Sequence, residues 1–249
     1  MTTVVISQPM YFPWVGFFEQ MALADIYVWL DDAQFSKGSF TNRIQVKIGN
    51  QRKWMSIPLA GKGSFTPICD LKSSGNDWRR SHKALLEASL ARRTRLSDAL
   101  ELYVRAIEIS PLCDFLIASA EIPAAAMDVL PAHIVRSSDM PTSGHSSQRV
   151  LDIVRKLGGT RYLTGHGAAN YLDHEEFEKA GIEVDYMDYR PLPWPQPDGE
   201  FTPYVTVLDL IASVGASEAR HHLRGASMPW RRFVEQRLDK TGVRGNDGT

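Results

Sequence analysis

The chain has 249 residues, 43% of them hydrophobic and 23% charged, enough for one large core or two small ones. A formal net charge of −1 excludes a global field that would gather nucleic acid, and the two cysteines, Cys69 and Cys113, have no zinc-ligand spacing and suit a reducing compartment. The start Met1-Thr2-Thr3 lacks a basic region and an apolar run of signal length, and no segment reaches the length of a membrane span. The expectation is therefore a cytoplasmic protein with no membrane partner.

In chain order, Thr3–Ser7 reads as a buried strand, 16–24 as a short helix with Phe17, Phe18 and Met21 inward, and 26–30 as a second strand. Alternation over 44–48, the pair Gly49-Asn50, and Trp54-Met55-Ser56-Ile57-Pro58 predict a β-hairpin with Trp54 and Pro58 on its packed face. Residues 77–109 are helical with a break near 94–97, and Pro111 opens the next helix, which carries Leu112, Phe115 and Leu116 inward. Ile134-Val135 reads as a strand. Ser146 or Ser147 then caps a helix that ends at Gly158-Gly159. A strand at 161–164, a helix after Gly165-His166-Gly167, and a strand at 182–186 follow. That alternation argues for parallel crossovers. Helices begin near Thr206 and with Pro229 in the first turn. The fold expected is α/β: a mainly parallel sheet with helices on both faces, a β-hairpin insertion and extra helices. Residues 1–241 form a single domain and 242–249 a disordered tail.

The first strand ends in Gln8-Pro9-Met10-Tyr11-Phe12-Pro13-Trp14-Val15-Gly16-Phe17-Phe18. Ala24-Asp25, Asp31-Asp32-Ala33-Gln34-Phe35 and Asn42-Arg43 follow, and later Arg161-Tyr162-Leu163-Thr164-Gly165, Tyr171-Leu172-Asp173, Phe201-Thr202-Pro203 and Leu208-Asp209-Leu210. In these stretches the chain resembles the WbqC-like family over most of its length; 81–141 matches poorly. The resemblance implies a place in bacterial O-antigen and polysaccharide biosynthesis and a role in glycine transfer. The layout is also distantly similar to the nucleotidylyl-transferase fold. There a His-x-Gly-His element opens the first helix; here Trp14-Val15-Gly16-Phe17 keeps the glycine and lacks both histidines.

In an open parallel sheet, ligands sit where strands end, beside helix starts. The site is therefore expected where the ends of 4–7 and 26–30 meet the loops 37–43 and 164–168. Gln8, polar at a buried strand end, needs a backbone or ligand partner. Tyr11, Phe12 and Trp14 form either a stacking platform for a base or sugar or part of the core. Asp31 and Asp32, read as adjacent strand residues, face opposite ways. One of them is a candidate general base or hydrogen-bond acceptor for a ribose or sugar and the other takes a backbone or cationic partner, unless the pair are plain surface-turn acids. Lys37, Asn42 and Arg43 suit a phosphate or carboxylate, unless Arg43 pairs with one of the aspartates. Small residues at Gly165 and Gly167, after Thr164, let an anion approach backbone N–H groups, with His166 as acid/base or phosphate donor or as part of a plain crossover. No metal site is expected, and the sequence names no cofactor.

The leading functional expectation is a transferase moving an acyl or aminoacyl group, glycyl among them, onto an amine of a nucleotide-linked sugar or related metabolite. Asp32 or His166 would take the proton. The expected partners are a small-molecule substrate carrying a nucleotide or phosphate, an aminoacyl-tRNA donor, and a second copy in a homodimer. The basic residues at 79–95 and 220–232 read as solvated helix faces unless the donor is an aminoacyl-tRNA, whose phosphates they would then hold. The alternatives are a nucleotide-dependent carboxylate-activating ligase or nucleotidylyltransferase, and a non-catalytic pathway partner.

Overall fold

A computed structural model describes residues 1–61, 65–197 and 199–241. The tail expected at 242–249 lies outside the described residues. The main sheet is built from β1 (Thr3–Ser7), β2 (Ile26–Trp29), β5 (His133–Arg136), β6 (Arg161–Thr164), β7 (Glu183–Met187) and β8 (Ser227–Pro229). Their spatial order is β5-β2-β1-β6-β7-β8. All neighbours are parallel except β7 and β8, which run antiparallel. β3 (Arg43–Ile48) and β4 (Gln51–Ser56) form the separate hairpin, with Gly49 at φ 57° in its turn, where glycine carries no Cβ penalty.

Both faces of the sheet are covered, which is why β1 is apolar without alternation. Val5, Tyr27 and Trp29 face a core shared with α1 (Val15–Ala22), α2 (Asp77–Leu90), α3 (Leu96–Ile107), α4 (Leu112–Ala126), α7 (Val207–Val214) and the hairpin. Val4, Ile6 and Val28 face the other layer, with Val150, Ile153 and Val154 of α5 (Ser146–Lys156), Phe177 of α6 (His174–Lys179) and Phe233 of α9 (Trp230–Thr241). The short α8 (Ala216–Ala219) follows α7. Gly159 turns the chain from α5 into β6 against the sheet, where a Cβ would stand 2.6 Å from Val4 Cγ2.

Several local expectations change. Neither Ser146 nor Ser147 caps α5; Ser147 Oγ instead accepts the Asp173 N–H at 2.9 Å. Gly165-His166-Gly167 does not open an α-helix. It leads into a 3-10 turn over His166–Asn170, and α6 starts only where Asp173 supplies a capping carboxylate to Glu176 N–H. Pro229 ends β8, one residue before α9 begins.

The chain passes from β1 to β2 and β5 on one side, then returns to β6 and β7 on the other. The strand order therefore reverses between β1 and β6. That reversal opens a crevice at the carboxyl ends of these strands.

Candidate functional site

Three groups of side chains lie along the carboxyl edge of the sheet. The first fills the switch point. Trp14, just before α1, lays its indole on Gly16, whose bare Cα leaves the room: a Cβ there would come within 2.2 Å of the ring. The same indole packs on Tyr189, beyond β7, at 5.0 Å between ring centres, and on Tyr204 at 5.7 Å. Tyr189 packs in turn on His166 at 5.1 Å. His166 Nε2 lies 2.7 Å from the Met187 carbonyl, an acceptor only, so Nε2 carries a proton and, in the neutral ring, Nδ1 holds the lone pair. His166 is exposed. Gly165 is a close-approach glycine, since a Cβ would stand 3.0 Å from Tyr189 Oη, whereas Gly167 faces open space.

Behind this crevice α1 buries Gln20 and Glu19. Glu19 accepts the Arg224 N–H at 3.1 Å through one oxygen, and its other oxygen has no partner. Burial raises its carboxyl above the ordinary glutamate range. Burial, followed by the charge of Glu19, pushes the Tyr189 phenol well up.

The second group is an acidic corner at the ends of β2 and β5. β2 stops at Trp29, so Asp31 and Asp32 lie in a turn and strand alternation does not separate them. They converge on one partner set. Asp31, fully buried, accepts the Ser138 N–H at 3.0 Å and the Ser138 hydroxyl at 2.8 Å. Asp32 accepts from the Ser137 hydroxyl and pairs with Arg149 of α5. The cation is thus Arg149, more than a hundred residues away in sequence, and not Arg43.

The third group is a basic cleft of about 1080 Å³ between residues 34–43 and 56–61, lined by Lys37, Asn42 and Arg43 among others. Among the described residues neither cation pairs with a carboxylate. Arg43 donates to the Gly38 carbonyl and lies over the Trp54 ring at 4.2 Å from its centre. Asn42 donates to the Ile57 carbonyl at 2.8 Å and so closes the base of the hairpin.

Several expected positions offer no face to a ligand. Tyr11 and Phe12 belong to the core. Phe12 at φ 37°, a costly angle for an aromatic residue, turns both rings inward. Its N–H is held by Ser119 Oγ at 3.0 Å. Tyr11 Oη hydrogen-bonds His82 Nδ1 at 2.9 Å, and burial raises its phenol well above 10. Of the three aromatics in that turn, only Trp14 keeps a partly exposed face. Thr164 is buried, its hydroxyl accepting from Tyr162 at 3.1 Å. Asp31 is likewise enclosed. Gln8 stays half-buried at the end of β1.

Sequence reasoning assigned no role to Tyr189, Arg149, Phe40 and Tyr204, and Trp54, expected on the hairpin's packed face, is 43% exposed. Tyr189 alone carried a usable signal, its place just after a parallel strand. The others meet through tertiary contacts. Among the described residues no group of three or more His, Cys, Asp or Glu side chains is placed to hold a metal ion. No helix among them is long and apolar enough to cross a membrane.

The fold defines a class: open, mainly parallel α/β proteins with a crevice at a topological switch point. Within it, the chain belongs to the WbqC-like protein family, which matches residues 8–221. It is 27% identical over 241 residues, 90% of this chain and 98% of the relative, to the uncharacterized protein Rv1507c of Mycobacterium tuberculosis (strain ATCC 25618 / H37Rv). No solved structure matches.

Proposed function

We propose that the protein is a transferase that moves an acyl or aminoacyl group, glycyl among them, onto an amine of a phosphate-bearing small molecule such as a nucleotide-linked sugar. One observation carries this reading: Lys37 and Arg43, two cations with no carboxylate partner among the described residues, line a ligand-sized cleft beside the strand ends. Phosphate is the group such a pair suits. Ring contacts lead from there to His166: Arg43 over Trp54, Trp54 and Trp14 in one cleft, Trp14 on Tyr189, Tyr189 on His166. A nucleotide-linked substrate with its phosphates at Arg43 would bring its amine near His166 by folding its sugar back along this path.

His166 is the better proton acceptor of the two candidates. Both Asp32 oxygens are already engaged, by Ser137 and Arg149, whereas His166 Nδ1 is directed away from the bond that orients the ring. In the step, the amine nitrogen bonds to the acyl carbon and the bond from that carbon to its carrier breaks. The amine proton passes to Nδ1 and then to the departing carrier. Asp32 and Arg149 would keep the turn after β2 in place. An aminoacyl-tRNA is one donor of the right chemistry; an acyl phosphate is another.

The test is direct. Nucleoside diphosphate amino sugars are incubated with glycyl-tRNA, or with glycyl phosphate, and the acceptor is weighed by mass spectrometry. The expected result is a new amide, absent in His166→Asn and Arg43→Ala variants that melt like the wild type. No mass gain with any pair, or turnover in both variants, overturns the proposal.

A further inference from the structure

Next to the basic cleft lies a second, smaller one of about 360 Å³, walled by Trp14, Phe40, Trp54 and Tyr204, with Gln45 and Arg52 at its margin. Its aromatics come from separate segments: the turn after β1, the loop before β3, strand β4 and the stretch before α7. Phe40 and Trp54 are each 43% exposed and Tyr204 58%. Large aromatics left open to water on three neighbouring segments mark a binding surface, because packing alone would bury them.

The walls are held before any ligand arrives. Trp14 is seated on Gly16 and backed by Tyr189. Its backbone is bridged to Thr206, and the Thr206 N–H donates to the Gln45 carbonyl at 3.0 Å, which fixes the Tyr204 segment to the hairpin. Opposite, Trp54 rests on Phe40 at 5.9 Å and on the Arg43 guanidinium at 4.2 Å. Trp54 lines the aromatic cleft and Arg43 the basic one, so this cation-stacked indole is the partition between them.

We propose that the aromatic cleft is a nucleobase subsite, with the phosphates of the same nucleotide crossing the Trp54 partition to Arg43 and Lys37. This rests on the transferase reading for its second half and names the substrate class of that site. Three observations select a base. Pre-set aromatic faces stack planar rings of any base. The Gln45 amide carries both a donor and an acceptor, as reading a base edge requires. The guanidinium groups of Arg43 and Arg52 border the cleft and supply the charge that an attached phosphate needs.

The experiment is tryptophan-fluorescence titration of the full chain with UMP, CMP, GMP and AMP, and with uridine, inorganic phosphate and a methyl glycoside as controls. At least one nucleoside monophosphate is expected to bind. Trp54→Ala, followed by calorimetry because it removes a reporter, and Tyr204→Phe or Tyr204→Ala separate stacking from hydroxyl loss. Each truncation is expected to weaken the nucleotide about tenfold or more, with Tyr204→Phe near wild type. Arg43→Ala is expected to weaken the nucleotide but leave uridine unchanged. Both side chains are exposed, so melting temperatures should stay within a few degrees of wild type. Binding of phosphate or the glycoside alone, no binding of any nucleotide, or unchanged nucleotide affinity in Trp54→Ala and Tyr204→Ala overturns the inference. Loss of binding in Arg43→Ala alone sinks the base subsite and leaves the transferase reading standing. Loss in the stacking variants with no transfer to any acceptor does the reverse.

Discussion

His82 makes the stability of the protein depend on acid in a calculable way. It sits in α2 beneath the turn that carries Trp14, buried, with Nδ1 accepting from Tyr11 Oη at 2.9 Å and Nε2 donating to the Ser56 carbonyl at 3.2 Å. Burial lowers its pKa from 6.5 to about 4, against a small opposing effect of the Ser56 bond. In the unfolded chain the ring takes its proton near 6.5. Its folded pKa lies below that, so its contribution is fully present above pH 6.5 and is lost as the pH falls towards 4. The gap between 6.5 and about 4 corresponds to roughly 3 kcal/mol, or a large share of an ordinary domain's stability. The assay is urea unfolding between pH 7.5 and 4, compared with His82→Gln, which keeps a donor and an acceptor but cannot titrate. The wild type should lose more stability across that window than the variant, by an amount of that order. Parallel pH profiles for the two proteins would refute the reasoning.

Other outcomes follow from single contacts. Arg93 and Asp209 form an ion pair at 2.6 Å with side-chain exposures of 4% and 1%, and Asp209 also accepts the Trp194 indole N–H at 2.7 Å. Asp209→Ala strands a buried guanidinium and should cost about 3–5 kcal/mol by urea unfolding, with Arg93→Met and Asp209→Leu together recovering most of it. Glu19 has its pKa raised by burial, so its penalty grows as the pH climbs through that raised value. Glu19→Gln should raise the melting temperature at pH 8 and change it little at pH 4, as a calorimetric scan at both would show. Gly16→Ala places a methyl group against the Trp14 indole, within 2.6 Å of three ring carbons, and should shift Trp14 emission and weaken nucleotide binding while Gly167→Ala does neither.

The parallel sheet was readable because its signals are local: apolar strands between helical periods, with Gly159 where the chain turns into β6. So were the break between α2 and α3 and the helix opened after Pro111. The candidate site was half readable. Arg43 and Lys37 announce themselves as cations after a strand end, and His166 by its place after β6. The Tyr11 turn stayed open between platform and core, because the sequence does not reveal that Phe12 adopts a positive φ and sends its neighbour inward. Asp32 was seen but its partner was not, since Arg149 reaches it only through the packing of α5 on the sheet. Trp54 was expected on the packed face for its apolar bulk, yet the alternation sets it with Arg52 and Ser56, opposite the buried Met55 and Ile57, and that outer face is where it lies.

The central claim is that an anionic ligand is held at Arg43 beside the strand ends. Isothermal titration of a uridine diphosphate amino sugar into the wild type and into Arg43→Ala, at low and at moderate salt, tests it most directly. The expected result is binding that weakens with salt and falls about tenfold or more in the variant. Equal affinity in both proteins, or an affinity indifferent to salt, would contradict it.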